Sequence, residues 1–201
     1  MKIVTRYKIA RRLGAPVFEK TQTQKFALRL NQKSQFLKKP RAKSDYGLGL
    51  LEKQKARYSY GITSKQFTNY VKKAMEKKGS SAYLLVTLLE SRLDNIALRS
   101  GFATTRQGAR QMTSHGHLTV NGTKVTIPSY QVKVGDIIGI REGSKKKALF
   151  NSLDERLKSI KIPSWLKLNF EKKEVTIDGI PFIVNTELLF SPSKVLEFYS
   201  R

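Results

Sequence analysis

Cysteine is absent from this sequence and acidic residues are scarce, with 15 Asp and Glu against 39 Lys and Arg. Without a thiol, disulfides, thiolate-ligated zinc and a cysteine nucleophile are excluded. The only two histidines, His115 and His117, have no acidic pair near them in the chain to complete a ligand set, so no metal and no cofactor is expected. Neither histidine has an orienting carboxylate and nucleophile beside it, so acid–base catalysis is not expected either. Long apolar runs are missing as well. The longest, Ala82 to Leu89, falls far short of the roughly 20 residues that cross a bilayer. Charges at Lys2, Arg6, Lys8, Arg11 and Arg12 break up the start, so neither a secretory signal nor a membrane partner is expected. No internal repeat is visible.

What is present is positive charge. A formal +24 on 201 residues repels itself in a compact state, which points to a polyanion partner rather than a free enzyme. The excess is front-loaded: +13 over residues 1–60, +6 over 61–115, +4 over 116–148 and only +1 over 149–201. That near-neutral tail holds apolar anchors (Trp165, Leu166, Leu168, Phe170, Val175, Ile177, Ile180, Phe182, Ile183, Val184, Leu188, Leu189, Phe190) and is expected to pack on the protein itself. Residues 14–45 mix lysine and arginine with Gln, Thr and Ser without sustained periodicity. They read as an arm that orders along phosphate, extended with short helical pieces.

The middle is more regular. Thr63-Ser64-Lys65-Gln66 has the capping-box form and precedes Phe67, Tyr70, Val71, Ala74 and Met75 at helical spacing, with Lys65, Lys72, Lys73, Lys77 and Lys78 on the other face. A cap at Ser80 or Ser81 opens a helix through Asn95, continuing towards Gly101, with a broad leucine stripe. Glu90 and Asp94 would then share one helix face, where salt pairing is expected. Thr104-Thr105-Arg106-Gln107 repeats the capping-box form and starts a short helix ending at Gly116. Beyond it the period changes to two, around an Asn121-Gly122 hairpin signal, with Pro128 breaking the ladder and a turn and strand over Val134 to Ile140.

Within this unit Ser91-Arg92-Leu93-Asp94-Asn95, Arg99, Gly101-Phe102-Ala103, Ala109-Arg110-Gln111, His115-Gly116-His117, Val120-Asn121-Gly122, Ile127-Pro128-Ser129-Tyr130 and Gly135-Asp136 follow one another in order. Together they resemble the RNA-binding module of the small-subunit ribosomal protein four (S-four) family. The resemblance extends to Arg6-Tyr7, Arg11-Arg12-Leu13-Gly14, Asp45-Tyr46-Gly47, Leu51 to Lys55, Tyr60 to Thr63, Ile162 to Leu166 and Glu197 to Arg201. Lys8-Ile9-Ala10 stands where many members carry a Gly-Pro step, and the zinc cysteines of some members are missing, so the N-terminal region is expected to be ordered by RNA contact alone.

The resemblance implies an α+β fold: a mainly helical body with an inserted RNA-binding module of two helices and a short β-sheet, preceded by a basic extended N-terminal arm. The expected boundaries are 1–43 for the arm, 44–90 plus 151–201 for the body and 91–150 for the module. It also implies a structural, non-enzymatic constituent of the small ribosomal subunit that binds small-subunit rRNA directly and early in assembly, nucleating its 5′ domain junction. Small-subunit proteins three and five are the implied neighbours, messenger RNA passes nearby where it enters, decoding accuracy is influenced, and no homo-oligomer is expected.

Phosphate neutralisation comes first in such binding, and shape, backbone and junction bases follow, because A-form RNA hides its major groove. The module's candidates are Arg99, Thr104, Arg106, Arg110, Gln111, His115, His117, Asn121, Lys124, Ser129 and Tyr130. Arg106 and Arg110, one helical turn apart, suit adjacent phosphates, and free N–H groups at a Thr104 cap suit another. For Asn121 and Tyr130, turn geometry and packing are the favoured roles. In the body Lys53, Lys55, Arg57, Tyr58, Tyr60 and Lys65 interleave cations with aromatic rings, as backbone contact plus stacking requires, although packing in the core competes for a single Tyr. In the arm the candidates are Arg6, Tyr7, Lys8, Arg11 and Arg12.

Two readings from other classes stand beside this one. Related modules accompany RNA pseudouridine synthases, whose catalytic aspartate follows Gly-Arg-Leu; Ser91 replaces that Gly, so Asp94 reads as structural. A free RNA chaperone or stress-related RNA-binding protein would need the module but neither the Leu51 to Lys55 segment nor the aromatic ending. The 26 Lys against 13 Arg fit an AT-rich coding genome. With the Phe-Tyr-Ser-Arg ending this favours the plastid stroma, with bacterial cytoplasm as the alternative.

Overall fold

The structure is a computed structural model that describes residues 5–36, 44–181 and 188–200. Two compact units divide the chain, one formed by Met1–Leu85 with Val184–Arg201 and the other by Val86–Ile183.

The first unit is helical: α1 (Arg6–Leu13), α2 (Gln24–Phe36), α3 (Asp45–Ser59), α4 (Ser64–Glu76) and the start of α5 (Ser81–Glu90), with α10 (Pro192–Ser200) returning to it. The expected extended arm is thus corrected to helix over much of its length. Apolar residues that looked scattered in sequence meet as a cluster of Ala10, Leu13, Ala15, Val17, Phe18 and Phe26, with Leu51, Tyr58 and Leu189 packed against it. A protein core, and not RNA contact alone, therefore orders this region. The stop after α1 is Gly14 at φ +65, which lets its N–H reach back to the Arg11 carbonyl.

Helix α4 begins as expected, with Thr63 Oγ1 accepting from Gln66 N and Gln66 Oε1 accepting from Thr63 N, both at 3.3 Å. Its apolar face buries Phe67, Val71 and Ala74, and Lys65, Lys72 and Lys73 stay exposed on the other. The closing helix α10 is tied back by Ser191 N donating to Glu52 Oε2 at 2.7 Å, by Thr68 Oγ1 and Tyr199 Oη at 3.0 Å, and by Lys53 Nζ over the Phe198 and Tyr199 rings.

The second unit contains α6 (Leu93–Arg99), α7 (Arg106–Ser114), α8 (Glu142–Lys145) and α9 (Leu153–Ser159) with strands β1 (Leu118–Val120), β2 (Thr123–Lys124), β3 (Ile137–Ile140), β4 (Leu166–Asn169) and β5 (Glu174–Ile177). One antiparallel sheet runs β2-β1-β3-β5-β4. Ile138 lies opposite Val120 on one side and Val175 on the other, and Leu166 pairs with Ile177. Here the boundary reading is corrected: residues 151–183 belong to the module's unit, not the helical body. The reason is hydrogen bonding and burial together. Strand β3 would otherwise be an unpaired edge, and Leu153, Leu157, Trp165, Leu166, Val175 and Ile177 fill the same core as Leu93, Ile96, Phe102, Met112 and Leu118. Of the other expected tail anchors, Phe170 and Ile180 are each 55% exposed, and Leu189 and Phe190 pack in the first unit. Phe182, Ile183 and Val184 lie outside the described residues.

Candidate nucleic-acid interface

The continuous helix expected from Ala82 to Asn95 and on towards Gly101 breaks at Ser91 and Arg92. Arg92 turns extended (φ −72, ψ 136) and bridges Gln131. Two satisfied sets of polar groups hold the break. The Arg92 guanidinium is buried and donates to Asp94 through Nε (3.0 Å) and Nη2 (2.8 Å). Fully buried Glu90 accepts at Oε2 from Asn95 Nδ2 (2.8 Å) and Arg99 Nε (3.1 Å). Glu90 and Asp94 thus sit on different helices, each paired as a salt-bridge partner rather than poised for acid–base work. The first amides of α6 find the Ile127 to Tyr130 loop: Leu93 N donates to the Tyr130 carbonyl (2.9 Å) and Asp94 N to the Pro128 carbonyl (3.2 Å).

Helix α7 lies across this junction. Thr105, not Thr104, is its cap and accepts from Gly108 N at 3.0 Å, because the helix starts one residue later than expected. Thr104 itself is exposed. Arg110 donates to Asp94 through Nε (3.1 Å) and Nη2 (2.8 Å), and Arg106 Nη1 donates to Asn95 Oδ1. Both arginines thus anchor α7 to α6, with part-exposed edges left for an outside anion. Gln111, further along α7, is exposed.

The two histidines part company. His115 is exposed, whereas His117 is buried, with Nδ1 2.9 Å from Ser144 Oγ. Burial, then the neighbouring charges of Lys147, His115 and Arg141, hold the His117 imidazole below its ordinary range. Buried this way, His117 packs within the unit. The surrounding exposed cations Arg141, Lys146 and Lys147 were missed in the sequence, although the Arg141 to Lys147 run signals a basic patch.

At the hairpin, Asn121 (φ 51) and Gly122 (φ 79) both adopt the left-handed backbone of the expected turn. Asn121 also donates from Nδ2 to Asp136 Oδ1 and accepts at Oδ1 from Ile137 N, both at 2.9 Å. Lys124 is exposed, with its stem packed over Gly116; Ser129 is half-buried and Tyr130 is 38% exposed.

In the first unit Lys8, Arg11 and Arg12 are exposed on α1, Arg6 is half-buried, and the Tyr7 ring lies 6.1 Å from that of Phe26. On α3, Lys55 pairs with Glu52 at 2.8 Å and the Arg57 guanidinium stacks 4.4 Å from the Tyr58 ring. Tyr60 is 5% exposed and meets Phe190 edge-on, so it belongs to the core and cannot stack on a base. Lys65 is exposed on the first turn of α4.

Among the described residues no group of three or more His, Asp or Glu is placed to hold a metal ion, and no helix is long and apolar enough to cross a membrane. Comparison with known proteins adds identity to this geometry. Residues 3–90 match the model of the ribosomal protein S4/S9 N-terminal domain, and residues 91–138 match the S4 domain. The small ribosomal subunit protein uS4 of Roseiflexus castenholzii is 44% identical over 203 residues, covering 96% of both chains.

The chain belongs to the uS4 family. Similar uS4 proteins come from Polaromonas naphthalenivorans (39% identical, 96% of both chains) and Corynebacterium kroppenstedtii (44% identical, 79% of both chains). Membership in a family of structural ribosomal proteins makes this uS4-type chain non-enzymatic, in line with Asp94 engaged between two arginines. The S4-domain match ends at 138, whereas the sheet of the uS4-type unit continues through β4 and β5.

Proposed function

We propose that this uS4-family chain is a structural constituent of the small ribosomal subunit that binds small-subunit rRNA directly and early, nucleating the folding of its 5′ domain junction. The observation that carries the reading is near-full-length similarity to small-subunit proteins combined with +24 of charge. A helix-rich surface studded with exposed Lys65, Lys72, Lys73, Lys8, Arg11 and Arg12 suits a folded phosphate scaffold. In this proposal the chain lies beside small-subunit proteins three and five, near where messenger RNA enters, and contributes to decoding accuracy. The lysine excess over arginine supports a plastid ribosome; the relatives named above are bacterial.

Sedimentation of a lysate with intact subunits tests the assignment. The chain travels with the small subunit; recovery in the light fractions overturns the reading in favour of a free RNA-binding protein. Fractionation of purified organelles tests the compartment, which is overturned by absence from their ribosomes.

A further inference from the structure

Asn121-Gly122 is the chain's one Asn-Gly step, and the hairpin places it in the open: both residues are exposed, and a Cβ added at Gly122 would meet nothing within 4 Å. Asparagine is chemically labile. It is most so before glycine, whose missing Cβ leaves the backbone nitrogen open to close approach. The Gly122 nitrogen, its proton gone to water, attacks Asn121 Cγ; the Cγ–Nδ2 bond breaks, ammonia leaves and a succinimide ring closes. Water then opens the ring at either carbonyl, giving aspartate or isoaspartate. The net change is a water consumed and an ammonia released.

In the folded module that carboxamide is held at both ends. Nδ2 donates to Asp136 Oδ1 and Oδ1 accepts from Ile137 N, both at 2.9 Å. The clamp is itself braced. Asp136 Oδ2 accepts from Lys133 N at 2.8 Å, the Asp136 carbonyl accepts from Ile177 N at 3.0 Å, and Asn121 N donates to the Ile137 carbonyl at 2.8 Å. Ring closure turns the flat carboxamide tetrahedral and draws Cγ onto the Gly122 nitrogen, so both side-chain bonds must yield first, one of them to a charged acceptor. The product cannot remake the clamp. A carboxylate at position 121 has no donor for Asp136 and sets like charge against it, and the isoaspartyl form also lengthens the backbone of the turn.

We infer that Asn121 is a deamidation site kept closed by the folded module: the clamp of Asp136 and Ile137 suppresses the reaction, and once the β1–β2 hairpin opens, the aspartate or isoaspartate formed prevents its closing. Modification at this turn therefore records how long the module has stood open.

The full chain is incubated in mildly alkaline buffer, with and without guanidinium chloride. Mass spectrometry then follows the tryptic peptide Gln111–Lys124, in which Asn121 is the one asparagine. The unfolded chain converts at least about tenfold faster than the folded one, the factor that breaking a hydrogen bond to a charged group predicts. Asp136→Ala, with α7 and β3 still protected from hydrogen exchange, converts severalfold faster than the unaltered chain. Asn121→Asp, the product itself, melts below the unaltered chain at neutral pH, and the gap narrows on acidification as the two facing carboxylates come to share a proton. Equal rates in folded and unfolded chains overturn the inference, as does an Asn121 that stays intact in guanidinium chloride. So does a folded Asp136→Ala that converts at the unaltered rate, or an Asn121→Asp that melts with the unaltered chain at neutral pH. Should Asp136→Ala fail to fold, the other two comparisons decide.

Discussion

Arg92 and Asp94, two positions apart where α5 gives way to α6, are locked side chain to side chain by bonds of 3.0 and 2.8 Å, with the arginine side chain 1% exposed. Asp94 then reaches across to Arg110 at 2.8 Å, so one carboxylate sets both the chain break and the seat of α7. A buried cation without its partner is far more costly than the pair is stabilising.

Asp94→Asn is therefore expected to destabilise the second unit by about 3–5 kcal/mol, the cost of stranding a buried charge. Urea unfolding followed by hydrogen exchange in α6 and α7 measures it. Loss confined to less than about 1 kcal/mol would show that the arginines are solvated after all.

Asn121 separates backbone strain from hydrogen bonding. Asn121→Gly keeps the positive φ and loses the bonds to Asp136 and Ile137, costing about 1 kcal/mol. Asn121→Val loses the bonds and adds the left-handed penalty, about 1–2 kcal/mol more. Thermal melts of the two variants should fall in that order.

His117 makes stability depend on pH. Its folded pKa lies below the ordinary 6.5, through burial first and then Lys147, His115 and Arg141. Between the two values the unfolded chain binds the proton and the folded chain does not, so stability rises with pH across that window. Acidifying from neutral through 6.5 lowers stability until the folded pKa is passed. His117→Gln removes this slope while His115 remains; an unchanged pH profile in the variant would place the titration elsewhere.

Salt dependence separates RNA-facing cations from structural ones. If Lys65 meets a phosphate, Lys65→Ala lowers the log–log salt slope of rRNA binding by about 0.7–0.9 without moving the melting temperature. Arg110→Ala lowers the melting temperature, because its bonds to Asp94 are internal, and leaves the salt slope nearly unchanged. The reverse pattern would mean that Arg110 is freed from Asp94 on the RNA.

Much of the local structure was legible along the chain. The capping box at Thr63, the left-handed Asn121-Gly122 turn and the strand after Gly135 depend on interactions within a few residues, so residue type alone specifies them. The charge excess and the short motifs likewise marked an RNA partner and the uS4 family from residue type and order alone.

Where interactions run between distant segments, the chain read in order misled. The leucine stripe favoured one helix through Asn95, but the buried Arg92–Asp94 and Glu90–Asn95 pairs outweighed helical propensity and cut it in two. Arg106 and Arg110 read as free cations because Asn95 and Asp94, their partners, stand 11 and 16 residues away. Strands β4 and β5 joined the module because β3 needed a partner and its core needed Trp165, Val175 and Ile177. Local propensity and net charge are sums over the chain and survive any fold, whereas which cation faces RNA and which is spent inside depends on pairings that exist only once the backbone has closed.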